Sequence, residues 1–357
     1  MQMSSTVLAS VEAVTPEWLT EVLRRQEAFA GIRVTKVEVD EAKQSFMASI
    51  AKLRIAYGGD PPFGAPARLF LKTSRPPEQP ASSASGRGEI AFYRTGAPAM
   101  ADPPVPRCYD AVFDDATQRF HLLLEDLSES HRELSDYPLP PTIVESEGIV
   151  TAFARVHAAM WGDPRIGNGI GPGLPDPDLY VTHLGPLFAR FADALGDRLS
   201  SERRQRCERM LAARPLIKKR FSVPKDLTLI HGDAHVGNML YPREESSGGV
   251  RLVDWDFWRI RPAAWDLAFM MAVHWFPDRR HAAEGRLLRH YHRALEAEGV
   301  QAYDIEALRR DYRLAVIDQL MVPLHQMSVK HDAAIWWTNF ERIMHAYEDL
   351  GCEELLG

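Results

Sequence analysis

The sequence Ile230-His231-Gly232-Asp233-Ala234-His235-Val236-Gly237-Asn238-Met239-Leu240 is followed, a short distance on, by Leu252-Val253-Asp254-Trp255-Asp256. In each segment an apolar run adjoins His, Asp or Asn residues. This pattern is typical of a strand end that delivers polar side chains to the edge of a buried core. The alternative is a pair of hairpin turns in which Asp, Asn and Gly serve only the turn geometry. Because two such clusters follow apolar runs, the pattern favours a functional site.

The spacing of the polar residues matches a known phosphoryl-transfer signature. His-x-Asp-x-x-x-x-Asn, with an Asp sixteen residues after the Asn, is the order of a kinase catalytic loop and its metal-binding Asp. Phosphoryl transfer needs a carboxylate to orient and deprotonate the attacking hydroxyl, and oxygen ligands to hold Mg²⁺ against the triphosphate. We assign Asp233 to the first role and Asn238 with Asp254 to the second.

Three neighbouring residues receive supporting roles. His231 is expected to be a structural residue that braces the loop. His235 lies where a cation facing the γ-phosphate would be useful, and we group it with Asp233 as catalytic. Asp256 is a candidate additional metal ligand.

HGDAHVGN followed by VDWDFWRIRPAAWDLA resembles the aminoglycoside phosphotransferase and choline kinase group of kinase-like folds, nearest the ecdysteroid-kinase-like branch. The resemblance runs from about residue 30 to the C-terminal helices. It implies a two-lobed α+β protein-kinase-like fold, with ATP and Mg²⁺ as cofactors. Asp266, in Trp265-Asp266-Leu267-Ala268, matches the family's buried Asp that anchors the catalytic loop. Its alternative role is that of a carboxylate favoured by the helix dipole in the first turn.

Composition restricts the class of protein. The chain has 357 residues, of which 45% are hydrophobic and 25% charged, enough to bury the cores of two lobes. No run of eighteen apolar residues occurs and no signal-peptide pattern begins the chain, so we expect a cytoplasmic protein without a membrane partner. Cys108, Cys207 and Cys352 are widely spaced and indicate neither a disulfide framework nor a zinc site. The net charge of −7 argues against a general nucleic-acid binder.

Residues 1–126 are predicted to form an N-terminal nucleotide-binding lobe. A helix from Thr15 to about Glu27 precedes two strands at residues 32–39 and 47–57. In a kinase-like fold, the connection at residues 40–46 would lie over the phosphates. It contains no glycine, so its backbone N–H groups and the Ser45 hydroxyl are the candidate phosphate contacts.

A lysine and a glutamate are the other candidate nucleotide contacts in this lobe. Residues 68–72 have the pattern of a strand that ends in Lys72, and Glu89 lies at the start of a helix. In kinases such a pair organises the α- and β-phosphates; the alternative is that Lys72 only protects a strand edge. Residues 74–87 between them, rich in Pro, Ser and Gly, are expected to form a mobile loop.

Two more strands, at residues 105–112 and 119–124, complete the predicted sheet. The residues that follow lie where a kinase-like fold places the hinge segment that binds adenine. Glu125 and Leu127 are the candidate hinge positions that read adenine with backbone groups. Residues 127–357 are predicted to form a C-terminal catalytic and acceptor-binding lobe. It is mainly helical: apolar residues recur at helical spacing over residues 149–160, and helices are expected at residues 184–195 and 202–211 and in the stretch that continues to residue 221. Further helices are expected at residues 263–274, 279–299, 305–326 and 333–350.

Four tryptophans in this lobe are candidate walls for the acceptor: Trp258, Trp275, Trp336 and Trp337. Aromatic walls supply apolar area with few rotors to freeze. A polycationic aminoglycoside would need a dense carboxylate lining, and residues 332–345 offer only Asp332 and Glu341. The alternative is that all four tryptophans are core residues.

The sequence therefore predicts ATP-dependent phosphorylation of a hydroxyl group on a small-molecule alcohol. Only eleven residues separate Asp254 from Asp266, and the absence of an activation segment ending in Ala-Pro-Glu disfavours a protein kinase. The alternative is a catalytically idle nucleotide-binding or scaffold protein. The glycine-free residues 40–46 favour it, as does Arg261, where the family commonly has Gly. Aminoglycosides, choline, sugars and steroid alcohols all stay open as acceptors, because fold does not fix function.

Overall fold

The computed structural model of the chain describes residues 7–45, 48–75, 86–133, 139–173 and 177–356, without the side chains of residues 177–183 and 225. The chain divides into two compact units. Unit 1 comprises Met1–Ala99, Pro104–Arg132 and Leu240–Phe257, and unit 2 comprises Met100–Pro103, Glu133–Met239 and Trp258–Gly357. The sequence predicts one division, after residue 126. Unit 1 also includes residues 240–257, which pack with the N-terminal part of the chain.

The elements are numbered in chain order. The strands are β1 (Val34–Gln44), β2 (Ala48–Tyr57), β3 (Arg68–Ser74), β4 (Cys108–Asp114), β5 (Arg119–Glu125), β6 (His131–Arg132), β7 (Thr228–Ile230), β8 (Met239–Pro242), β9 (Arg251–Leu252) and β10 (Arg259–Arg261). The α-helices are α1 (Pro16–Arg24), α2 (Arg87–Ala91), α3 (Ile143–Ala159), α4 (Pro177–Leu195), α5 (Ser201–Ala212), α6 (Arg214–Phe221), α7 (Ala264–Ala268), α8 (Pro277–Ala297), α9 (Ile305–Asp318), α10 (Met321–Ser328) and α11 (Ala333–Asp349).

Unit 1 is built on an antiparallel five-stranded sheet in the order β1-β2-β3-β5-β4. Leu69 and Leu71 of β3 are fully buried and belong to a hydrophobic cluster that also contains the apolar side chains of α1. Because side chains alternate along a strand, Lys72 lies on the opposite face of the sheet from Leu71. Helix α1 begins as the sequence predicts, with the Trp18 N–H donating to the Thr15 hydroxyl at 3.1 Å.

The predicted connection at residues 40–46 is wrong in its extent. Strand β1 continues to Gln44, and residues 41–44 pair with residues 49–52 of β2 after a register shift between Val39 and Glu41. These residues are exposed, so their polar side chains cost the strand little, and the backbone pairing with β2 holds it. Hydrophobic alternation therefore ended before the strand did. The predicted mobile loop at residues 74–87 lies mostly outside the described residues, which stop at residue 75 and resume at residue 86.

Helices make up most of unit 2, and α3 packs against α8 while α10 packs against α11. Strands β7 and β10 form a two-stranded antiparallel ladder that pairs Ile230 with Arg259. The polar residues from His231 onward therefore follow a strand end, as the sequence predicts. Among the described residues, no helix combines the length and apolarity needed to span a membrane.

Two predicted helices of unit 2 are interrupted. The helix predicted at residues 305–326 is divided into α9 and α10, with a break at Gln319 and Leu320. Pro323 explains the break, because its nitrogen cannot donate to the Gln319 carbonyl as a continuous helix would require. The helix predicted at residues 263–274 is α7 followed by a π-helical turn at Phe269–Val273.

Candidate active site

In unit 2, Asp266 anchors the loop that follows β7. This fully buried carboxylate accepts hydrogen bonds from the backbone N–H groups of His231, at 2.6 Å, and Gly232, at 2.9 Å. Gly232 has a φ of +80°, a conformation that favours glycine. Two donors to one carboxylate fix both the position and the direction of the chain entering Asp233. This geometry agrees with the anchoring role that the family resemblance implies for Asp266.

A buried histidine completes the support of Asp266. The Nε2 atom of His157 lies 3.2 Å from Asp266 Oδ2, and its Nδ1 atom lies 2.9 Å from the Tyr291 hydroxyl. Burial alone would raise the pKa of Asp266, but the hydrogen bond and charge of His157 and the charge of His231 outweigh it and lower that pKa. The carboxylate is thus kept in its charged form, in which it accepts both backbone N–H groups.

Asp233 and Asn238 lie together in the same loop. The Asn238 side-chain amide donates to the Asp233 carbonyl at 2.9 Å and to Asp233 Oδ2 at 3.2 Å. His235 Nε2 lies 3.5 Å from the same carboxylate oxygen. Within the described part of the chain, Asp233 Oδ1 accepts no hydrogen bond. One oxygen of the carboxylate is therefore engaged by the loop, and the other is available to a ligand.

The contacts of His235 define its tautomer. Its Nδ1 atom accepts from the Gly237 N–H at 3.1 Å, which caps the short 3-10 helix at Val236–Asn238. The proton of the neutral ring is therefore on Nε2, which faces Asp233. His235 therefore caps the 3-10 helix through Nδ1 and places Nε2 near the Asp233 carboxylate. The role predicted for His235 toward the γ-phosphate stays a prediction.

His274 is a residue of this region that the sequence analysis missed. Its ring lies 5.7 Å from that of His235 and 4.9 Å from that of Phe269. The pKa of His274 is lowered to about 3, mainly by burial and further by the neighbouring His235 and Arg342 side chains. Its buried Nε2 atom has no hydrogen-bond partner among the described residues. A histidine that ends an apolar helix would have been the available signal.

Unit 1 brings together Lys72, Glu89 and Asp254. The Lys72 ammonium lies 2.7 Å from Glu89 Oε2 and 2.9 Å from Asp254 Oδ1. Burial by itself would lower the pKa of Lys72, but the two carboxylates outweigh it and raise that pKa. The predicted Lys–Glu pair is present, and the Asp from the separate DWD motif joins it. The alternative, that Lys72 only protects a strand edge, does not describe this buried pair.

Asp254 is suited by its chemistry to a divalent cation. Its side chain is 49% exposed, and its backbone has a φ of +63°, which is uncommon for a residue other than glycine. Such backbone strain costs of order 1–3 kcal/mol and persists only where the surroundings determine it. In the described ranges, no group of three or more His, Cys, Asp or Glu is placed to hold a metal. Mg²⁺ fits this donor set, because it commonly binds one or two protein oxygens plus phosphate and water.

Asp256, predicted as an additional metal ligand, contacts α2 in the structure. Its Oδ2 atom accepts from the Gly86 N–H at 2.9 Å, and its Oδ1 atom accepts from the Glu89 N–H at 3.1 Å. Both oxygens therefore cap the first turn of α2. Each oxygen uses one of its two lone pairs in this cap, so the role predicted for Asp256 as a metal ligand stays a prediction.

The remaining predicted nucleotide contacts lie in unit 1. The Ser45 hydroxyl donates to the Ala48 carbonyl at 3.0 Å and accepts from the Ala48 N–H at 3.1 Å, so it closes the β1-β2 turn. The Glu125 N–H donates to the Arg107 carbonyl at 2.8 Å. The Leu127 carbonyl accepts from the His131 N–H at 2.8 Å, whereas the Leu127 N–H has no partner in the part of the chain that is described. Among the described residues, the Leu127 N–H is therefore the backbone donor that is left for a nucleotide.

The four tryptophans of unit 2 differ in exposure. Trp258 and Trp275 are buried, with 4% and 2% of their surface exposed, whereas Trp336 and Trp337 are partly exposed. Trp336 and Trp337 meet edge to face with ring centres 6.2 Å apart. The structure thus brings two of the four together on α11 and gives the other two the burial of core residues.

Comparison with known proteins identifies the family. The family model described as APH, phosphotransferase enzyme family, matches residues 62–304. A proposed aminoglycoside phosphotransferase from Ralstonia eutropha JMP134 has 17% identity and a TM-score of 0.55, over 95% of this chain and 97% of that chain. A choline/ethanolamine kinase family protein from Mesorhizobium loti has 14% identity and a TM-score of 0.53, over 94% of this chain and 98% of that chain. No protein with a curated description matches significantly.

These similarities confirm the predicted kinase-like fold, with an antiparallel sheet in unit 1 and mainly helices in unit 2. At such low identity the two structures establish the fold alone. The closer placement in the ecdysteroid-kinase-like branch stays a prediction. The family model matches more than half of the 357 residues, and the chain therefore belongs to the phosphotransferase enzyme family.

Proposed function

We propose that this protein transfers the γ-phosphoryl group of ATP to a hydroxyl group of a small molecule. The observation that carries the proposal is the geometry of Asp233, whose Oδ2 atom is engaged by Asn238 while its Oδ1 atom accepts no hydrogen bond from the described residues. A carboxylate held in this way can orient an incoming hydroxyl without being free to rotate.

Asp233 is the proposed base. Its Oδ1 atom accepts the proton of the acceptor hydroxyl while the hydroxyl oxygen forms a bond to the γ-phosphorus. The bond from that phosphorus to the β,γ-bridging oxygen breaks, and ADP leaves with the electron pair. Asp266 contributes indirectly, since its hydrogen bonds to His231 and Gly232 hold the backbone before Asp233.

Groups of unit 1 are the proposed nucleotide contacts. Lys72, held by Glu89, supplies a positive charge for the α- and β-phosphates. The unpaired N–H of Leu127, within the described residues, is the proposed donor to adenine. Asp254 and Asn238 are the proposed Mg²⁺ ligands, because both offer hard oxygen donors. When bound, the metal would offset charge on the phosphates.

The acceptor is proposed to be a partly apolar alcohol rather than a polycation. Trp336 and Trp337 offer partly exposed aromatic surface on α11. The two carboxylates of that stretch are already engaged: Asp332 caps α11 by accepting from the Ala334 N–H at 2.8 Å, and Glu341 forms a double ion pair with Arg203. An ammonium group would have to share these carboxylates with the contacts that they already make in the fold.

A phosphorylation screen tests the proposal. The full chain is incubated with ATP and Mg²⁺ and a panel of alcohols that includes sterols, sugars, choline and aminoglycosides, and products are detected by the mass of an added phosphoryl group. The expected result is one class of phosphorylated alcohol, which is lost with Asp233→Asn. ATP binding without turnover on any alcohol would instead support an idle nucleotide-binding protein. The engagement of the Ser45 hydroxyl by Ala48 is the observation that favours this alternative.

A further inference from the structure

Three contacts in unit 1 join α2 to the segment that carries Asp254. The first is the cap, in which one carboxylate of Asp256 accepts from Gly86 and from Glu89. Glu89, whose backbone N–H donates to this cap, is also the residue whose carboxylate accepts from Lys72. Asp256 therefore holds Glu89 directly, in the first turn of a short α-helix that continues as a π-helical turn at Phe92–Gly96.

The second contact is a close approach of the α2 backbone to the backbone of Asp256, which Gly88 permits. A Cβ atom on Gly88 would lie 2.0 Å from the Asp256 carbonyl oxygen, a distance that no side chain tolerates. The backbone of α2 is thus closer to residue 256 than any other amino acid at position 88 would allow.

An aromatic stack is the third contact. The rings of Phe92 and Trp255 are parallel within 1° with centres 3.9 Å apart, and both side chains are fully buried. Phe92 directly follows α2, and Trp255 lies between Asp254 and Asp256. The stack therefore joins the same two segments as the cap does.

From these contacts we propose that Asp256 is a positioning residue that latches α2 to the Asp254 segment, so that Glu89, Lys72 and Asp254 stay assembled without a ligand. The inference rests on the proposed function, in which Lys72 contacts nucleotide phosphates. Two carboxylates two residues apart then have separate tasks. Asp254 faces Lys72, and Asp256 holds the helix that carries the partner of Lys72.

The proposed link between Asp256 and α2, called the latch below, is tested by measuring nucleotide binding. This measurement requires neither turnover nor an acceptor. Affinity for ADP in EDTA and for the non-hydrolysable analogue AMP-PNP with Mg²⁺ is measured by calorimetry on the full chain. Asp256→Ala should weaken both by about tenfold, the order expected for loss of a helix cap. Asp256→Asn keeps a side-chain oxygen for the Glu89 N–H and should retain most of the affinity. If Asp256 were a metal ligand, the loss would appear only with Mg²⁺, would extend to Asp256→Asn and would be reversed by more Mg²⁺; that result would overturn the proposal.

A glycine substitution tests the latch without changing any charge. Gly88→Ala should weaken ADP binding as Asp256→Ala does, because the added methyl group pushes α2 away from residue 256. Gly31→Ala, where a Cβ atom would meet nothing within 4 Å, is the matched control and should bind normally. Normal ADP affinity in Gly88→Ala would contradict the latch.

A double-mutant cycle with Glu89→Gln shows whether Asp256 acts through Glu89. In that background Asp256→Ala should cost less than threefold, because the interaction that it positions is already weakened. Full additivity would refute the inference even if the protein is a kinase. Wild-type protein that binds neither nucleotide would instead refute the proposed function. If Asp256→Ala does not fold, Asp256→Asn still decides, since the latch predicts retained affinity and a metal role predicts a loss that depends on Mg²⁺.

Discussion

Asn238 donates its side-chain amide to both the backbone carbonyl and the carboxylate of Asp233, at 2.9 and 3.2 Å. The amide nitrogen is thus used to orient the proposed base. Among the described residues, the amide oxygen of the same side chain has no hydrogen-bond donor, so it is left for another partner, as a metal ligand requires. One residue can serve both tasks because its two polar atoms are chemically different.

Replacing the proposed base should separate binding from chemistry. Asp233→Asn keeps an oxygen that can accept from Asn238, so the loop and the affinity for ATP should be nearly unchanged. Turnover should fall by roughly 10² or more, as is usual when a positioned base is lost. Calorimetry and a turnover assay on the acceptor found by the screen provide the measurement. Turnover within a few-fold of wild type would remove Asp233 from this role.

The metal prediction concerns Asp254. Asp254→Ala removes a carboxylate that lies 2.9 Å from Lys72 and should abolish nucleotide turnover that depends on Mg²⁺. The assay is a Mg²⁺ titration at saturating ATP, with Asp60→Ala, at an exposed loop position of unit 1, as a control. Full activity of Asp254→Ala at low millimolar Mg²⁺ would show that this carboxylate is not the ligand.

The two ring nitrogens of His235 can be tested separately. Asn places an oxygen near the position of Nδ1, so His235→Asn should keep the cap on Gly237 and lose the donor that faces Asp233. Gln places an N–H group near the position of Nε2, so His235→Gln should lose the cap and keep the donor. We expect His235→Asn to lower kcat about tenfold with an unchanged Tm, and His235→Gln to lower Tm with a smaller effect on kcat.

Equal kcat losses in the two variants would show that the Nε2 donor is not what matters at position 235. If His235→Asn alone raised KM for ATP and left kcat unchanged, the ring would act on the nucleotide, in agreement with the role first predicted from the sequence.

His274 should make the fold sensitive to mild acid. Its folded-state pKa of about 3 lies below the ordinary value of 6.5, so between these limits the unfolded chain binds the proton and the folded chain does not. Stability contributed by the neutral ring is complete above pH 6.5 and is lost as the pH falls toward 3. By pH 5 the loss should be about 1–2 kcal/mol.

The measurement is the free energy of unfolding at pH 7 and pH 5, by urea titration. His274→Gln should lose less stability on acidification than wild type by that amount. His345→Gln is the matched control, because its side chain is exposed. Identical pH dependence in wild type and His274→Gln would contradict the burial-driven shift.

The acceptor prediction is tested by competition between a panel of hydrophobic alcohols and a panel of aminoglycosides. Trp337→Ala removes partly exposed aromatic surface and should raise KM for the alcohol about tenfold with little change in kcat, since such surface binds ground state and transition state alike. Trp258→Ala is a contrasting variant: its ring is only 4% exposed, so it should lower Tm. Efficient phosphorylation of aminoglycosides alone, unaffected by Trp337→Ala, would rule the prediction out.

The sequence by itself determined the elements whose signals are local. Thr15 and Pro16 mark the start of α1, and alternation marks most of β2. The spacing of Asp233, Asn238 and Asp254 identified a phosphoryl-transfer motif because that chemistry demands particular oxygen donors in a particular order. The same logic paired Lys72 with Glu89, and the structure has them 2.7 Å apart.

Only the tertiary structure decided the tasks of residues that look alike in sequence. Asp254 and Asp256 are two carboxylates in one motif, yet the first meets Lys72 and the second caps α2, because the partner segments arrive from distant parts of the chain. The place of His274 beside His235 in unit 2 was likewise decided by the fold. Local sequence sets which atoms a residue offers, whereas the packing of remote segments sets which partner each atom meets and how far water is excluded from it.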